Sequence, residues 1–258
     1  MKKGLEEAFT ASSIDVERPI NEYPFIKQRL QRIDYEAIIK SKQRWEDPYF
    51  KHDSTSLFDP ELEVTEENKK WQKYEWRRAS DVSPQAKMYI FKEIEPKDIK
   101  QGFCGDCYFL SSISSLAEFP ERVKDIFLTK EINEAGCYAL RLFVNGEPEI
   151  VVVDDYFPWH PFNKDWAFSR SNDDHEIWVM LLEKAWAKVF GSYQRIEGGQ
   201  AGEALPALTG APTTVLDHEE TNDVEKLWTK ISYADRKNYV IGTTVQGRAV
   251  NKSRKQIE

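Results

Sequence analysis

Apolar positions along this chain recur at two periods, and the changes of period outline its elements. From Pro24, "PFIKQRLQRIDYEAIIKSKQRW" sets Ile26, Leu30, Ile33, Ala37 and Ile38 at helical spacing and stops before Pro48. Residues 47–85 lose periodicity and gain Asp, Ser and Pro, so they predict loop, with Phe50, Phe58, Trp71 and Trp76 as packing anchors. After Cys107, "YFLSSISSLAEF" puts Leu110, Ile113, Leu116 and Ala117 on one face of a buried helix ending near Pro120. "CYALRLFVNGEPEIVVVDDYFP" predicts a hairpin turning at Asn145-Gly146, a pair suited to the two positive φ angles of a tight turn. "DDHEIWVMLLEKAWAKVFGS" predicts a second helix, with Ile177, Leu181, Ala185 and Val189 as its stripe and Gly191 as its C-cap. Farther on come a helix over "DVEKLWTKI", a strand over "NYVIGTTV" and a basic end, "NKSRKQ". Helices and a hairpin without βαβ alternation predict an α+β fold.

Composition narrows what such a fold could do. The chain has 258 residues, enough for one large core or two modest ones, and a formal net charge of −8. That balance argues against a general nucleic-acid binder, which needs a basic stripe. No apolar run is long enough to predict a membrane span. The first residues lack the apolar core of a signal peptide, and residues 1–22 predict a polar tail. Three cysteines, Cys104, Cys107 and Cys137, are too few and too odd for a disulfide scaffold, so a reducing cytoplasmic setting is expected.

Two of those cysteines sit in "QGFCGDCYFL", and the spacing admits three chemistries. A redox dithiol wants an apolar strand just before Cys104, where "KEIEPKDIKQGF" is charged and interrupted by Pro96. A zinc site wants a second pair of ligands, and none stands at ligand spacing; His160 and His175 are isolated. A single nucleophile fits better. A helix starting at Cys107 turns its positive end toward that sulfur and favours the thiolate. Gly105 lets a peptide approach, and the Gln101 amide can join the Cys107 N–H in holding an oxyanion. Cys104-Gly105-Asp106-Cys107-Tyr108 nearly spells the papain signature C-G-[SA]-C-[WY].

The wider sequence resembles the calpain family of cysteine proteases. "QGFCGDCYFLSSISSLAEFPERV" is similar to that family's nucleophile block, "VVVDDYFP" to its Val-Asp-Asp strand, and "EIWVMLLEKAWAKVFGSYQRIEGGQAGEALPALTG" to its long helix and Gly-Gly segment. "SLFD" and "WRRASDV" resemble the lead-in, so the likeness runs from about Trp45 to Gly210. The resemblance implies a papain-like fold, mainly the helical, nucleophile-bearing half of the core. Residues 1–85 would form an extension and lead-in, 86–215 the first half of the core, and 216–258 the start of the second. It implies Cys107 as nucleophile, Gln101 as oxyanion amide, and Gly198 and Gly199 as the segment that hydrogen-bonds a substrate strand. It also implies calcium, held by the carboxylates of Asp98 and Glu176 and the carbonyls of Phe91 and Glu93, since calcium takes hard oxygen donors. The substrates implied are proteins and peptides.

Several positions depart from the family pattern. Tyr108 replaces a tryptophan, Cys104 an aliphatic residue, and Pro96 a basic residue tied to the calcium response. A cysteine nucleophile also needs a histidine base and an orienting Asn or Asp. Of His52, His160, His175 and His218, only His218 lies far downstream, 218 − 107 = 111 residues on, and it lacks the family's Gly-His-aromatic context. The expectation is a chain that ends before its base, inactive alone and completed by a separate second half of the core. The alternative reading is a calpain-like module that holds peptide or calcium without cleaving.

Overall fold

The computed structural model describes residues 32–216 and 223–243. The readings placed on Ile26 and Leu30, on residues 1–22, on His218 and on the basic end lie outside the described residues. The principal elements, in order, are α1 (Tyr35–Ser41), β1 (Glu75–Arg78), β2 (Ile99–Lys100), α2 (Cys107–Leu116), β3 (Cys137–Val144), β4 (Glu147–Asp154), β5 (Tyr156–His160), β6 (Asp165–Trp166), β7 (Arg170–Ser171), α3 (Trp178–Phe190), α4 (Ala201–Thr209) and α5 (Val224–Arg236). Short helical turns at Ser54–Leu57, Ala79–Val82 and Pro120–Lys124 join them. This mixture of helix with small antiparallel sheets is the α+β class expected.

Local sequence explains the best-defined elements. Asp34 caps α1 by accepting from the Ala37 N–H at 3.0 Å, and Lys42 ends it in a left-handed conformation. The β3–β4 hairpin pairs Cys137 with Asp154 through Val144 with Glu147, and Asn145 and Gly146 take φ of 54° and 80°. Those are the two positive angles a type I′ turn requires. Helix α3 ends at Gly191, whose φ of 109° lets its N–H reach the Ala187 carbonyl at 2.7 Å. This helix starts at Trp178 rather than near Asp173. The preceding residues are held instead as an extended bridge, with the Ile177 N–H on the Tyr89 carbonyl at 3.1 Å.

Helix α3 is the centre of the core, buried along its length from Trp178 to Val189. Each large apolar side chain removed from water there contributes about 1.5–3 kcal/mol. Trp186 stacks on Phe109 of α2 with ring centroids 5.0 Å apart, fixing the two helices together. Helix α4 packs on α2 and β3. The lead-in adds Phe50, Leu57, Trp71 and Tyr74 to the same core, with Phe58 and Trp76 packed against it, as the anchor reading expected. A smaller cluster seats Ile33, Ile38, Ile39 and Trp45 on Ala135, Cys137, Ala139 and Val152.

Two expectations are corrected. Residues 47–85 are not loop throughout: the charged stretch Glu75–Arg78 is β1, paired antiparallel with β5 from Glu75–Trp159 to Arg78–Tyr156. Its partner lies some eighty residues away, so the pairing rather than local propensity makes it a strand. Within the described residues, 238–243 form no strand. Asn238 turns with φ 54°, and the Tyr239 N–H closes onto the Ala234 carbonyl at 3.0 Å, so this stretch finishes α5 rather than starting a strand.

Candidate functional site

The loop Gly102–Asp106 delivers Cys107 to the first position of α2, where its side chain is exposed. The loop is clamped from beneath. The Phe103 N–H binds the Ala167 carbonyl at 2.9 Å, and a Cβ at Gly102 would come 2.3 Å from the Phe168 carbonyl oxygen. Glycine is therefore required where the backbones touch. The first N–H groups of a helix have no intrahelical acceptor, so the Cys107 N–H is available to a ligand oxygen. The Gln101 amide nitrogen donates to the Cys104 carbonyl at 3.0 Å, which folds this side chain back over the loop and leaves its second N–H as a donor. Cys104 is 1% exposed, its thiol aimed at the Tyr193 carbonyl at 3.7 Å. Burial, reinforced by Asp106, Glu183 and Glu197, pushes that thiol well up. It is a small core residue, whereas Cys107 is exposed.

Gly198 and Gly199 come to the same place. The Gly198 N–H donates to the Gly105 carbonyl at 2.9 Å, tying the segment to the residue two before Cys107. Gly198 has a φ of 73° and open space where a Cβ would stand, whereas Gly199 lies directly on the Tyr108 ring. Tyr108 is fixed there by the Trp186 indole, which donates to its hydroxyl at 3.0 Å. The Glu197 carboxylate accepts from the Gly105 N–H at 3.3 Å and from the Asn68 amide at 3.2 Å. Exposed sulfur, a side-chain amide, a helix-start N–H and a glycine pair whose first member is left-handed thus meet at one point, the loop that enters α2.

Beneath that point lies a feature the sequence did not announce. Asp106 is the N-cap residue of α2, a position where an Asp carboxylate normally accepts from the helix's first N–H groups. Here it makes no such bond; it is fully buried, and neither oxygen has a partner in ordinary hydrogen-bond geometry. It faces Glu183 of α3, also buried, whose two oxygens accept from the Ser169 N–H at 3.0 and 3.2 Å. Burial, with Glu197 adding to it, pushes Asp106 up to about 7, and burial together with Asp106 drives Glu183 well above the carboxylate range.

Of the four residues expected to hold calcium, the two carboxylates, Asp98 and Glu176, lie near each other. The Glu176 carboxylate, buried just ahead of α3, accepts from the N–H groups of Lys92 at 2.6 Å and Glu93 at 3.2 Å, on the loop that also carries the Phe91 and Glu93 carbonyls. Asp98 closes a capping box by accepting from the Glu95 N–H at 2.9 Å. Burial raises Glu176, and the nearby Asp98 charge adds to the effect. The Lys92 ammonium turns away to Asp173 at 2.6 Å. Two mutually repelling carboxylates beside loop carbonyls fit a hard cation. No cluster of three or more His, Cys, Asp or Glu side chains able to hold a metal occurs among the described residues.

The described histidines are engaged elsewhere. His160 accepts from the Asn163 N–H at 3.1 Å, and His175 pairs with Asp173 at 3.1 Å. His52, passed over in the sequence, stacks on Tyr156 with centroids 3.8 Å apart and binds the buried Asp154 at 2.6 Å. Asp154 also receives Lys184 at 2.5 Å, and Lys188 pairs with Asp47 at 2.6 Å. Arg78 closes a further buried pair with Asp155 at 2.5 Å. No described helix is long and apolar enough to cross a membrane.

The sequence model of the calpain family cysteine proteases matches residues 45–258. A calpain-type cysteine protease ADL1 of Oryza sativa subsp. japonica is 34% identical over 237 residues, covering 84% of this chain and 10% of that protein. A calpain-type cysteine protease DEK1 of Zea mays is 33% identical over 221 residues, 80% of this chain and 10% of its own length. Calpain-13 of Rattus norvegicus is 33% identical over 159 residues, covering 60% and 24%. The chain thus spans about a tenth to a quarter of the length of these relatives.

Proposed function

The chain belongs to the calpain family of cysteine proteases, and from that premise we propose that it supplies the nucleophile-bearing half of a cysteine endopeptidase core. The observation that carries the reading is Cys107, exposed at the start of a buried helix, with the Gln101 amide and the Gly198–Gly199 segment joined to the same loop. The Cys107 thiolate attacks a peptide carbonyl. The Gln101 amide and the Cys107 N–H hold the resulting oxyanion, and the Gly198–Gly199 backbone aligns the substrate strand. Collapse of the adduct expels the amine, which takes a proton from the histidine that had deprotonated the thiol. Water then hydrolyses the acyl-cysteine.

No histidine of this sequence stands in the family's Gly-His-aromatic context, so these 258 residues alone are expected to turn over at background. Fluorogenic-peptide cleavage tests this. Activity should appear when a separately expressed second half of the core, carrying that histidine, is added, and should vanish in Cys107→Ala. Robust Cys107-dependent turnover by the chain alone would refute the split assignment.

Calcium is proposed as a regulator rather than a reactant. When bound, it supplies positive charge that relieves the repulsion between Asp98 and Glu176 and orders the loop through Phe91 and Glu93. Millimolar calcium should then raise the melting temperature, an effect lost in Glu176→Ala. Indifference of the wild-type chain to calcium would remove the site.

A further inference from the structure

Resting on Cys107 as the nucleophile, we infer that Asp106 and Glu183 are positioning residues: their buried carboxyl–carboxyl contact holds the Asp106 side chain off the start of α2 and reserves that positive helix end for the Cys107 sulfur. A carboxylate at an N-cap normally accepts from the second or third helical N–H and so places a negative charge on the helix's positive end. A thiolate at Cys107 would have to share that end with it. In this structure Asp106 takes the N-cap position without the bond, fully buried, and the side chain that answers its carboxyl is that of Glu183. The Phe109 and Leu110 N–H groups bind its backbone carbonyl instead, at 2.9 and 3.1 Å.

The side chain is buried against Glu183, which is itself anchored to the Ser169 N–H. Two buried carboxyls cannot both be ionised at close quarters, so the contact persists because the pair retains a proton. The other titratable groups around Asp106 are Glu197, held by Gly105 and Asn68, the thiol of Cys104, and the hydroxyls of Tyr108 and Tyr193. None of these brings a positive charge to the pair. Asp106 holds its proton until about pH 7, so up to neutrality the sulfur is backed by neutral acids rather than an anion.

The test is the pH dependence of iodoacetamide alkylation of the full chain, resolved for each cysteine by mass spectrometry. Asp106→Asn removes the ionising carboxyl while keeping its size. It should move the Cys107 midpoint down by about one unit, the scale of losing one nearby like charge. Glu183→Gln mimics the protonated acid, with an amide that can face Asp106 and a carbonyl that keeps the Ser169 bond, and should leave the midpoint unchanged. Glu183→Ala frees Asp106 to swing onto the helix start and should move the midpoint up. An Asp106→Asn profile lying on or above the wild-type one overturns the inference, and so does a downward shift in Glu183→Ala. If Glu183→Ala does not fold, the other two variants still decide it. Failure of the nucleophile assignment looks different: Cys107 would then react no faster than Cys104 or Cys137 in every variant.

Discussion

Helix α3 carries buried charge on two sides, and the sides are built by opposite rules. On one, Lys184 and Lys188 meet Asp154 and Asp47, every charge answered by its opposite at 2.5–2.6 Å, with His52 completing the Asp154 shell. On the other, about 100° round the helix, Glu183 meets Asp106, and among the described residues no cation answers the pair. The consequences for ionisation diverge. Burial alone would raise Asp154, but Lys184 and His52 outweigh it and hold its carboxyl well below the usual range. On the acid side burial goes unopposed, and Asp106 rises to about 7. Burial also pulls Lys188 down, against the pull of Asp47. The paired side can stay charged inside the protein because its charges cancel, so its role is to lock β4, the lead-in and α3 together. The acid side stays quiet only while it keeps a proton, and it begins at the residue just before Cys107.

Breaking the paired side should have the largest effect. Lys184→Met leaves the Asp154 carboxylate buried with His52 and the Asp47 and Tyr156 N–H groups but no lysine, and should lower unfolding stability in urea by about 3–5 kcal/mol. Because Asp154 is depressed in the fold, its contribution is present above the unfolded carboxylate range near pH 4 and is lost as pH falls through that range. In Lys184→Met that acid dependence should flatten. An unchanged acid limb would mean that the pair does not stabilise the fold.

A steric change should cost less. A Cβ at Gly199 would stand 2.5 Å from Cζ of Tyr108, a ring pinned by Trp186, so Gly199→Ala should cost about 1–3 kcal/mol and slow alkylation of Cys107. Loss of stability without any change at Cys107 would separate the glycine pair from the site.

Glu183→Gln should change stability least, by less than about 1 kcal/mol, because it replaces a group that is already neutral. Its neighbour gives the comparison a pH signature. Asp106 is raised, so between about pH 4 and about 7 the fold holds a proton that the unfolded chain has released, and stability drains as pH rises through that window. Asp106→Asn should abolish this slope, which runs opposite to that of Asp154. A large loss in Glu183→Gln would make the acid side a charged pair after all.

Sequence alone made the local parts of this picture legible. The Asn145-Gly146 turn, the Gly191 cap and the helix behind Cys107 each depend on a few adjacent residues, and each was found where expected. Strand β1 was not legible, because Glu75–Arg78 becomes a strand only by meeting Tyr156–Trp159. The stripe from Ile177 to Val189 predicted one apolar face, yet α3 is buried all round, Glu183, Lys184 and Lys188 included. Their partners at Asp106, Asp154 and Asp47 are distant in sequence and joined only by folding. Spacing and chemistry singled out Cys107 and Gln101, and the structure shows Cys107 exposed at a helix start with the Gln101 amide on the loop before it. Asp106, at a position that reads as an ordinary N-cap, could not be seen to turn its side chain inward.

The central claim is that one cysteine of the three is built to react with a peptide carbonyl. Its most direct measurement treats the folded chain at neutral pH with a peptide-derived electrophile, then quantifies the adduct at each cysteine after digestion. Cys107 should carry the label, with Cys104 and Cys137 reacting only once the chain is unfolded, since both are buried. Cys107→Ala should take up none while folded. Label distributed equally between Cys104 and Cys107, or uptake that survives Cys107→Ala, would contradict the account.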